Sequence, residues 1–403
     1  MKPITQSILW LCLIFAGSSQ AAQARLTEAE YRQLNAVFPL MEQGQWAEAR
    51  KQWLSVEKQV RSDYAKALVF HNLAQVSLQL EQYPAAIGYL KQARGLDALP
   101  PEQMLNLQHT LGQLYCTEAQ WKNCIREISQ WMQQPEAKAR AEDYLLLAQA
   151  NAQLERWREV LPPIRAAISQ RKVAPASWYL LQIGAHVQLK QWAGAVRQQQ
   201  QLVQHYADKP EYWRQLVSLQ VRQGAEKQAL ATQRLGYQRG LLNEARDYRL
   251  LAQLLLNQQL PYVAGEILDK GVRKGVLRAN AKNLDLLANA WIRAREDQRA
   301  INVLNRLQAQ APRQSRAVRL AQLHLKTGQW HSAETLLLKA LQQKPAKPAE
   351  LQLLLGIARV NMKQFEQARS AFVNASREDR YARSVAGWMR YLEQLEAASE
   401  RQG

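Results

Sequence analysis

Glycine and proline are scarce in this chain. Its 403 residues include 17 Gly and 14 Pro, and 47% of them are hydrophobic. This composition excludes a collagen-like or disordered chain and leaves enough apolar material for a large folded core. Acidic residues are also few, since 34 Asp and Glu stand against 53 Lys and Arg, giving a formal net charge of +19. A strongly basic chain favours partners with acidic surfaces.

The short motifs of common enzyme chemistry are missing. There is no Gly-x-x-x-x-Gly-Lys phosphate loop, no Gly-x-Ser-x-Gly elbow and no His-Glu-x-x-His zinc helix. The six histidines are dispersed. His324 and His331 straddle a predicted turn, so we assign His324 to packing rather than to metal binding. The glycines of residues 270–276 are interpreted as turn residues. We predict no catalytic residue, no metal site and no cofactor, and we do not expect an enzyme.

Long apolar runs are absent beyond the N-terminus. Residues 8–17 form an apolar run after Met1-Lys2, and Ala22-Gln23-Ala24 fits the small-x-small cleavage rule of export signals. The run has about half of the ~20 residues that a membrane-spanning helix needs. Residues 1–24 are therefore predicted to be a cleaved signal peptide, with an uncleaved anchor as the alternative. The mature chain is expected to be soluble and periplasmic.

Cysteine is rare, with three in the chain. Cys12 follows Leu9-Trp10-Leu11, where a lipoprotein signal would carry small residues, and this argues against a lipid anchor. Cys116 and Cys124 remain after signal cleavage and flank a predicted helix-to-helix turn. An oxidising compartment permits a disulfide between them. The alternative is two buried thiols in a helical core.

A short phrase, Gly-x-Trp-x-x-Ala, occurs at residues 44–49 and again at 328–333. Aligning the chain on this phrase gives a small or compact residue every 33 to 38 positions: Ala49, Ala86, Cys124, Val160, Ala195, Ala229, Ala264, Ala300, Ala333 and Ala368. We call these ten the phrase residues. Three residues earlier stand Trp46, Tyr83, Trp121, Trp157, Trp192, Glu226, Pro261, Asp297, Trp330 and Phe365. This regularity indicates a repeated structural unit.

A Leu-small pair ends twelve residues before most of these positions: Leu73-Ala74, Leu111-Gly112, Leu147-Ala148, Leu251-Ala252, Leu287-Ala288, Leu320-Ala321 and Leu355-Gly356. A period near 34 with helical patterning is typical of stacked helix-turn-helix units. We place the pair on the first helix and the phrase on the second, because facing small residues let two helices approach closely. The aromatic residue is expected to fill the space beside the turn. Stacking would then cover the apolar face of each hairpin.

These residues resemble the tetratricopeptide repeat family, whose Leu-Gly-x-x-Tyr element stands at residues 111–115. The resemblance covers residues 30–382 and implies an all-α, right-handed superhelical solenoid of about ten hairpins in residues 25–382. A soft junction is expected near 207–210, and residues 383–403 are expected to form a capping helix and tail. Repeats six to eight lack the turn aromatic, and repeat one lacks the Leu-small pair. The Gln198–Gln201 run is interpreted as exposed helix surface.

Basic charge is concentrated in the second half. Residues 25–207 hold 20 Lys and Arg against 16 Asp and Glu, whereas residues 208–403 hold 32 against 18. The resemblance places first helices along a concave groove, and on repeats six to eight the groove positions are Arg214, Arg222, Arg246, Arg249, Lys282 and Arg293. We hypothesise that they bind an acidic peptide or an acidic protein face. The alternative is a solvated face that keeps the chain soluble.

Other partners are less consistent with the sequence. Nucleic acid is disfavoured because the chain is predicted to be exported and its aromatics are not interleaved with the arginines. Any membrane contact would be peripheral. The chain is similar in overall look to periplasmic tetratricopeptide proteins that accompany TonB–ExbB–ExbD systems, which implies a scaffold in TonB-dependent transport. The competing class is a cell-envelope assembly factor that binds anionic polymer, lipid, or outer-membrane or pilus components.

Overall fold

The computed structural model describes residues 26–343, 345 and 347–400, and every regular element within them is a helix. The predicted signal peptide and Cys12 lie outside the described residues. The chain divides into two compact units, and the boundary falls between Tyr206 and Ala207. The segment 207–210, where the sequence suggests a junction, therefore begins the second unit.

The first unit is a series of antiparallel helices that pack in chain order. Its helices are α1 (Glu28–Asn35), α2 (Phe38–Glu42), α3 (Trp46–Glu57), α4 (Asp63–Gln79), α5 (Tyr83–Gly95), α6 (Pro101–Thr117), α7 (Trp121–Met132), α8 (Ala141–Gln153), α9 (Trp157–Ser169), α10 (Ala176–Gln188) and α11 (Trp192–His205). Apolar side chains from Leu34 to Ala150 form one core cluster within it.

The second unit repeats the same arrangement and ends in one long helix. Its helices are α12 (Pro210–Arg222), α13 (Glu226–Gln238), α14 (Ala245–Asn257), α15 (Pro261–Arg273), α16 (Ala281–Arg293), α17 (Asp297–Gln310), α18 (Gln314–Lys326), α19 (Trp330–Gln342), α20 (Pro348–Asn361), α21 (Phe365–Ala375) and α22 (Asp379–Glu400). The hairpins run from α12–α13 to α20–α21. The closing helix α22 begins four residues before the expected start at 383.

Each hairpin turns through three residues, and the second helix begins at the position that the sequence alignment marks with an aromatic. This holds even where Glu226, Pro261 or Asp297 replaces the aromatic. The middle turn residue has a positive φ in every hairpin: glycine at 44, 224 and 328, and a residue with a side chain elsewhere, such as Ala119 (φ 55°). The following amide donates to a carbonyl five residues earlier, as from Gln120 to Tyr115 (2.8 Å). This bond closes the first helix as a Schellman motif does.

The aligned small residues form the centre of each hairpin, as the sequence predicts. All of the phrase residues from Ala49 to Ala368 have no exposed surface. The turn aromatics are half-buried, and those of the first three hairpins, Trp46, Tyr83 and Trp121, pack against the core cluster. Within residues 34–150 and within residues 248–323, the apolar contacts of one hairpin continue into the next.

The Leu-small pairs lie on the first helices, but the two glycines among the small members face a different residue from the one expected. A Cβ added to Gly356 would lie 2.5 Å from Cδ1 of Phe372, which is fully buried. Likewise a Cβ on Gly112 would lie 2.6 Å from Cδ1 of Ile128. The small residue therefore receives the large apolar side chain one turn beyond the phrase residue, rather than the phrase residue itself.

The first repeat departs from the pattern because its first helix is broken. Helix α1 ends at Asn35 and α2 begins at Phe38, with Pro39 in the first turn of α2. Proline cannot donate a helical hydrogen bond, so a continuous helix is disfavoured there. Glu30 secures α1: its Oε1 accepts hydrogen bonds from the amide (3.0 Å) and hydroxyl (2.9 Å) of Ser62. Burial disfavours its charge, yet hydrogen bonds from Ser62 and Thr27 lower its pKa to about 2.

Glutamine enters the core on both sides of the unit boundary. Gln199 in α11 and Gln233 in α13 are fully buried at a position where the other hairpins have Leu, Ile, Phe or Trp. The interpretation of Gln198–Gln201 as wholly exposed surface is therefore wrong for Gln199. Nε2 of Gln233 donates to the carbonyl oxygen of Asp247 (3.0 Å). Burying an amide in an apolar layer costs free energy unless it is hydrogen-bonded, and this bond offsets part of that cost for Gln233.

A disulfide joins Cys116, in the last turn of α6, to Cys124 in α7. Their Cα atoms are 5.0 Å apart, and both residues are buried. The bond spans the three-residue turn and fixes α6 to α7.

The close approach at Gly356 gives a stability prediction. Gly356→Ala should lower the free energy of unfolding by about 1–3 kcal/mol, because the new methyl group displaces the ring of Phe372 from a packed core. The control is Gly387→Ala in α22, where an added Cβ meets nothing within 4 Å. There alanine should stabilise the helix by up to about 1 kcal/mol. Thermal unfolding followed by circular dichroism measures both, and equal effects of the two changes would contradict the packing described.

Candidate interaction surface

The predicted groove residues lie on three first helices of the second unit: Arg214 and Arg222 on α12, Arg246 and Arg249 on α14, Lys282 and Arg293 on α16. First helices α12, α14, α16, α18 and α20 follow one another in the stack, so their outward faces form one surface. We call it the first-helix face. A cation can bind a carboxylate of another protein more strongly when its charge is not already paired with a group of the same unit.

Arg214 forms an ion pair within the unit. Its Nε and Nη2 donate to the two carboxylate oxygens of Asp247 (2.9 and 2.8 Å), and Nη2 also donates to Glu244 (2.8 Å). The side chain of Asp247 is 2% exposed and that of Arg214 is 18% exposed. The hydrogen bonds to Asp247 raise the pKa of Arg214. This bidentate pair ties α12 to the first turn of α14. The role of Arg214 in partner binding stays a prediction, although its Nε and Nη2 already donate to groups within the unit.

The same contact recurs between α16 and α18 with the charges exchanged. Asp285 occupies the repeat position of Arg214, and Arg316 occupies that of Asp247. Arg316 donates through Nε (3.1 Å) and Nη2 (2.6 Å) to the carboxylate of Asp285. Its Nη1 reaches the carbonyl of Ala311, and the residue is 6% exposed. The sequence contains the signal for this pairing, namely opposite charges at two fixed repeat positions.

The first unit holds a third version of this pair. Nε2 of His109 on α6 lies 2.7 Å from Oδ1 of Asp143, which is in the first turn of α8. The ring of His109 stacks on Trp131 with centroids 3.9 Å apart. Burial opposes the charge of Asp143, yet hydrogen bonds from His109 and the Arg140 amide lower its pKa. The arrangement joins adjacent hairpins and uses the imidazole structurally.

Two further predicted residues also have internal partners. Nη2 of Arg293 donates to the carbonyl of Leu256 (2.8 Å), which lies in the last turn of α14. Nε of Arg246 lies 3.0 Å from Glu244, although the Arg246 side chain is 61% exposed. Arg293 is therefore a helix-end contact between hairpins, and the charge of Arg246 is partly compensated.

The remaining predicted cations differ in exposure. Arg222 and Lys282 are exposed, and Arg249 is half-buried. No ion pair is found for Arg249 or Lys282 among the described residues. These two side chains keep an uncompensated positive charge on the first-helix face.

A cleft on the first-helix face, which the sequence did not suggest, lies between α16 and α18. Its volume is about 410 Å³, and its lining residues are Asp285, Leu304, Arg313, Ser315, Arg316, Val318, Arg319 and Gln322. Arg313 and Arg319 are exposed, and Nη2 of Arg319 is 3.4 Å from Oδ1 of Asn289. Arg316 is held by Asp285, so the free positive charge in the cleft comes from Arg313 and Arg319.

His324 has a local partner, in keeping with the structural role assigned to it. Its Nδ1 lies 2.7 Å from Oε1 of Gln329, and the equivalent pair His186 and Gln191 is 2.9 Å apart. His331 is exposed. In the part of the chain that the structure describes, no three His, Cys, Asp or Glu residues are grouped as metal ligands would be. No helix in that part has the length and hydrophobicity to cross a bilayer.

No protein-family model and no curated protein matches the sequence. Several solved structures of tetratricopeptide repeat proteins are similar at low identity. A repeat protein from Parabacteroides merdae ATCC 43184 is 11% identical, covers 66% of this chain and 99% of its own, and has a TM-score of 0.36. YrrB, described as having an unusual peptide-binding site, is 10% identical, with 45% and 88% covered and a TM-score of 0.36. The TPR2AB domain of yeast Sti1, in complex with pHSP90, is 12% identical, with 64% and 99% covered and a TM-score of 0.33.

The exchanged ion pairs give a second prediction. Arg214→Met should lower the free energy of unfolding by about 3 kcal/mol, because it leaves the buried carboxylate of Asp247 unpaired. The control Arg246→Met removes an exposed, singly paired cation and should cost less than about 0.5 kcal/mol. Exchanging the partners, as Arg214→Asp with Asp247→Arg, should restore part of the loss, since Asp285 and Arg316 already use that order. Denaturant unfolding with tryptophan fluorescence distinguishes these outcomes; similar costs for the two single variants would contradict the structural role of Arg214.

Proposed function

We propose that the protein is a non-catalytic interaction scaffold of the bacterial periplasm, and that its second unit binds an acidic segment of a partner protein. The cleft between α16 and α18 is the observation that supports this most directly. It lies on the first-helix face, and Arg313 and Arg319 leave positive charge at its surface. Arg249 and Lys282 extend that charge over the two preceding first helices.

The chemistry of the cleft favours a peptide with carboxylates. A guanidinium group offers a planar fork of N–H donors that matches a carboxylate in two hydrogen bonds. Ser315 and Gln322 add neutral donors and acceptors for backbone groups, and Val318 adds an apolar contact. Asp285 does not cancel this charge, since its carboxylate is occupied by Arg316.

The cellular role is proposed from the sequence. Residues 1–24 supply an export signal, and the overall similarity to scaffolds of TonB–ExbB–ExbD systems points to TonB-dependent transport across the outer membrane. The alternative is a cell-envelope assembly factor, which the high positive charge also favours. The two roles differ in the partner that occupies the cleft.

The proposed export predicts the N-terminus and the mass of the mature protein, whatever its partner is. Protein recovered from the periplasm should begin at Arg25, because cleavage is expected after Ala24. Its intact mass without reduction should be two hydrogens lower than after reduction, because Cys116 and Cys124 are bridged. A Cys116→Ala, Cys124→Ala variant controls for the mass difference. Recovery of the chain in the cytoplasm with its first 24 residues intact, or with free thiols, would contradict the proposed location.

Photo-crosslinking in cells tests the partner. A photoreactive residue at Gln322, in the cleft, should crosslink a periplasmic or membrane protein, and Arg319→Glu should reduce the yield about tenfold or more by repelling carboxylates. The matched control places the same group at Gln394, exposed on the closing helix α22. Components of the TonB system among the products would support that role, whereas pilus or outer-membrane assembly proteins would replace it with the alternative. Equal crosslinking from Gln322 and Gln394 would refute the cleft as the binding site.

A further inference from the structure

The loops that join successive hairpins of the second unit all lie at one edge of its stack. Within a hairpin, the three-residue turn links the end of the first helix to the start of the second. Because the two helices are antiparallel, the loop to the next hairpin must leave from the opposite end. The three-residue turns therefore share one edge of the unit, and the connecting loops share the other.

Two consecutive connecting regions carry cations and no acidic residue. Residues 270–283, between α15 and α16, and residues 306–317, between α17 and α18, contain no Asp or Glu. Their exposed cations are Lys270, Arg273, Lys274, Arg278, Lys282, Arg306 and Arg313. We call this set the basic edge. The turn between α16 and α17, on the opposite edge, mixes Arg295 with Glu296 and Asp297.

Most of the basic edge has no internal counter-charge. Arg273 pairs with Asp269 (2.8 Å), and Nζ of Lys270 lies 5.7 Å from the ring centre of Tyr237. For Lys274, Arg278, Lys282, Arg306 and Arg313, no ion pair is found among the described residues. Uncompensated like charges repel one another, so this arrangement is stabilised by an anionic partner.

The backbone that displays these cations is ordered by specific contacts. Gly275 adopts a positive φ of 72° after the end of α15, and the amide of Leu277 donates to the carbonyl of Gly271 (3.0 Å). Leu277 is 1% exposed and so anchors the loop in the core. The carbonyl of Arg278 accepts from Nδ2 of Asn283 (2.8 Å). The Gly271–Gly275 segment is thus a helix end and loop, in which Gly271 packs within α15 while Gly275 makes the turn.

We propose that the basic edge binds the surface of a bilayer that contains anionic phospholipids. The cations extend from two neighbouring loops, at hairpin spacings of about 10 Å, and they do not converge on a shaped pocket. Cations spread in this way can each contact a different lipid phosphate on a bilayer surface, whereas a single peptide would reach few of them. Each Lys or Arg near an anionic bilayer strengthens attachment about fivefold. This surface is separate from the protein-binding role proposed above, except that Arg313 also lines the cleft and Lys282 also lies on the first-helix face.

Charge-matched variants test the proposal without touching the cleft. The edge variant combines Lys274→Gln, Arg278→Gln and Arg306→Gln. The control combines Lys227→Gln, Arg295→Gln and Lys363→Gln, which are exposed cations of the same unit at the three-residue turns. Both variants lose three positive charges, so net charge alone cannot separate them. Unchanged circular dichroism and melting temperature would show that both remain folded.

The measurement is co-sedimentation of the purified chain with vesicles of phosphatidylglycerol and phosphatidylcholine, compared with phosphatidylcholine alone. The unaltered protein should bind the anionic vesicles, and rising ionic strength should weaken that binding. The edge variant should bind about 100-fold more weakly, and the control should stay within about threefold of the unaltered protein. Equal binding by the two variants would overturn the proposal. So would tighter binding to soluble polygalacturonate than to vesicles at equal anionic charge, since the ligand would then be a polymer.

Discussion

The structure depends on one packing constraint: every hairpin buries a compact residue at the fourth position of its second helix. One turn later, all hairpins except those with Gln199 and Gln233 bury a large apolar side chain. The phrase residues have no exposed surface in any repeat, and the space beside Gly356 or Gly112 is filled by Phe372 or Ile128. Such a hairpin still leaves apolar surface uncovered, so each hairpin is stable because another packs against it. The faces and edges that remain are free to carry charge.

Much of the fold could be predicted because this constraint repeats at fixed positions. The aligned aromatic column marks the first residue of each second helix, even where Asp297 or Pro261 stands in it. Other features of the fold depend on contacts between residues at different repeat positions, which one aligned position does not predict. The left-handed turn residue is Ala119 in one hairpin and glycine in others, since the closing hydrogen bonds impose that conformation on either. Gln199 was assigned to the surface because its neighbours are glutamines, although its repeat position is a core position.

The candidate surface was less predictable than the fold. A repeat position gives the direction in which a side chain leaves its helix, but not the group that it meets. Arg214 leaves α12 toward the first-helix face and contacts Asp247, which is 33 residues away in sequence. The cleft at Arg319 requires two adjacent first helices and the second helix between them to meet, and no local sequence pattern predicts that. Charge density alone identified the region, since residues 270–319 contain twelve basic and three acidic side chains.

The exchange of charges between Arg214–Asp247 and Asp285–Arg316 also bears on how the chain reaches its native order. Repeats so alike could dock out of sequence, with two hairpins skipped, and still cover much of their apolar surface. If α12 were to stack against α18, Arg214 would face Arg316, and two buried guanidinium groups would repel each other. Only consecutive neighbours bring opposite charges together at these sites. The paired charges thus favour the correct order of hairpins and disfavour misregistered or domain-swapped assembly.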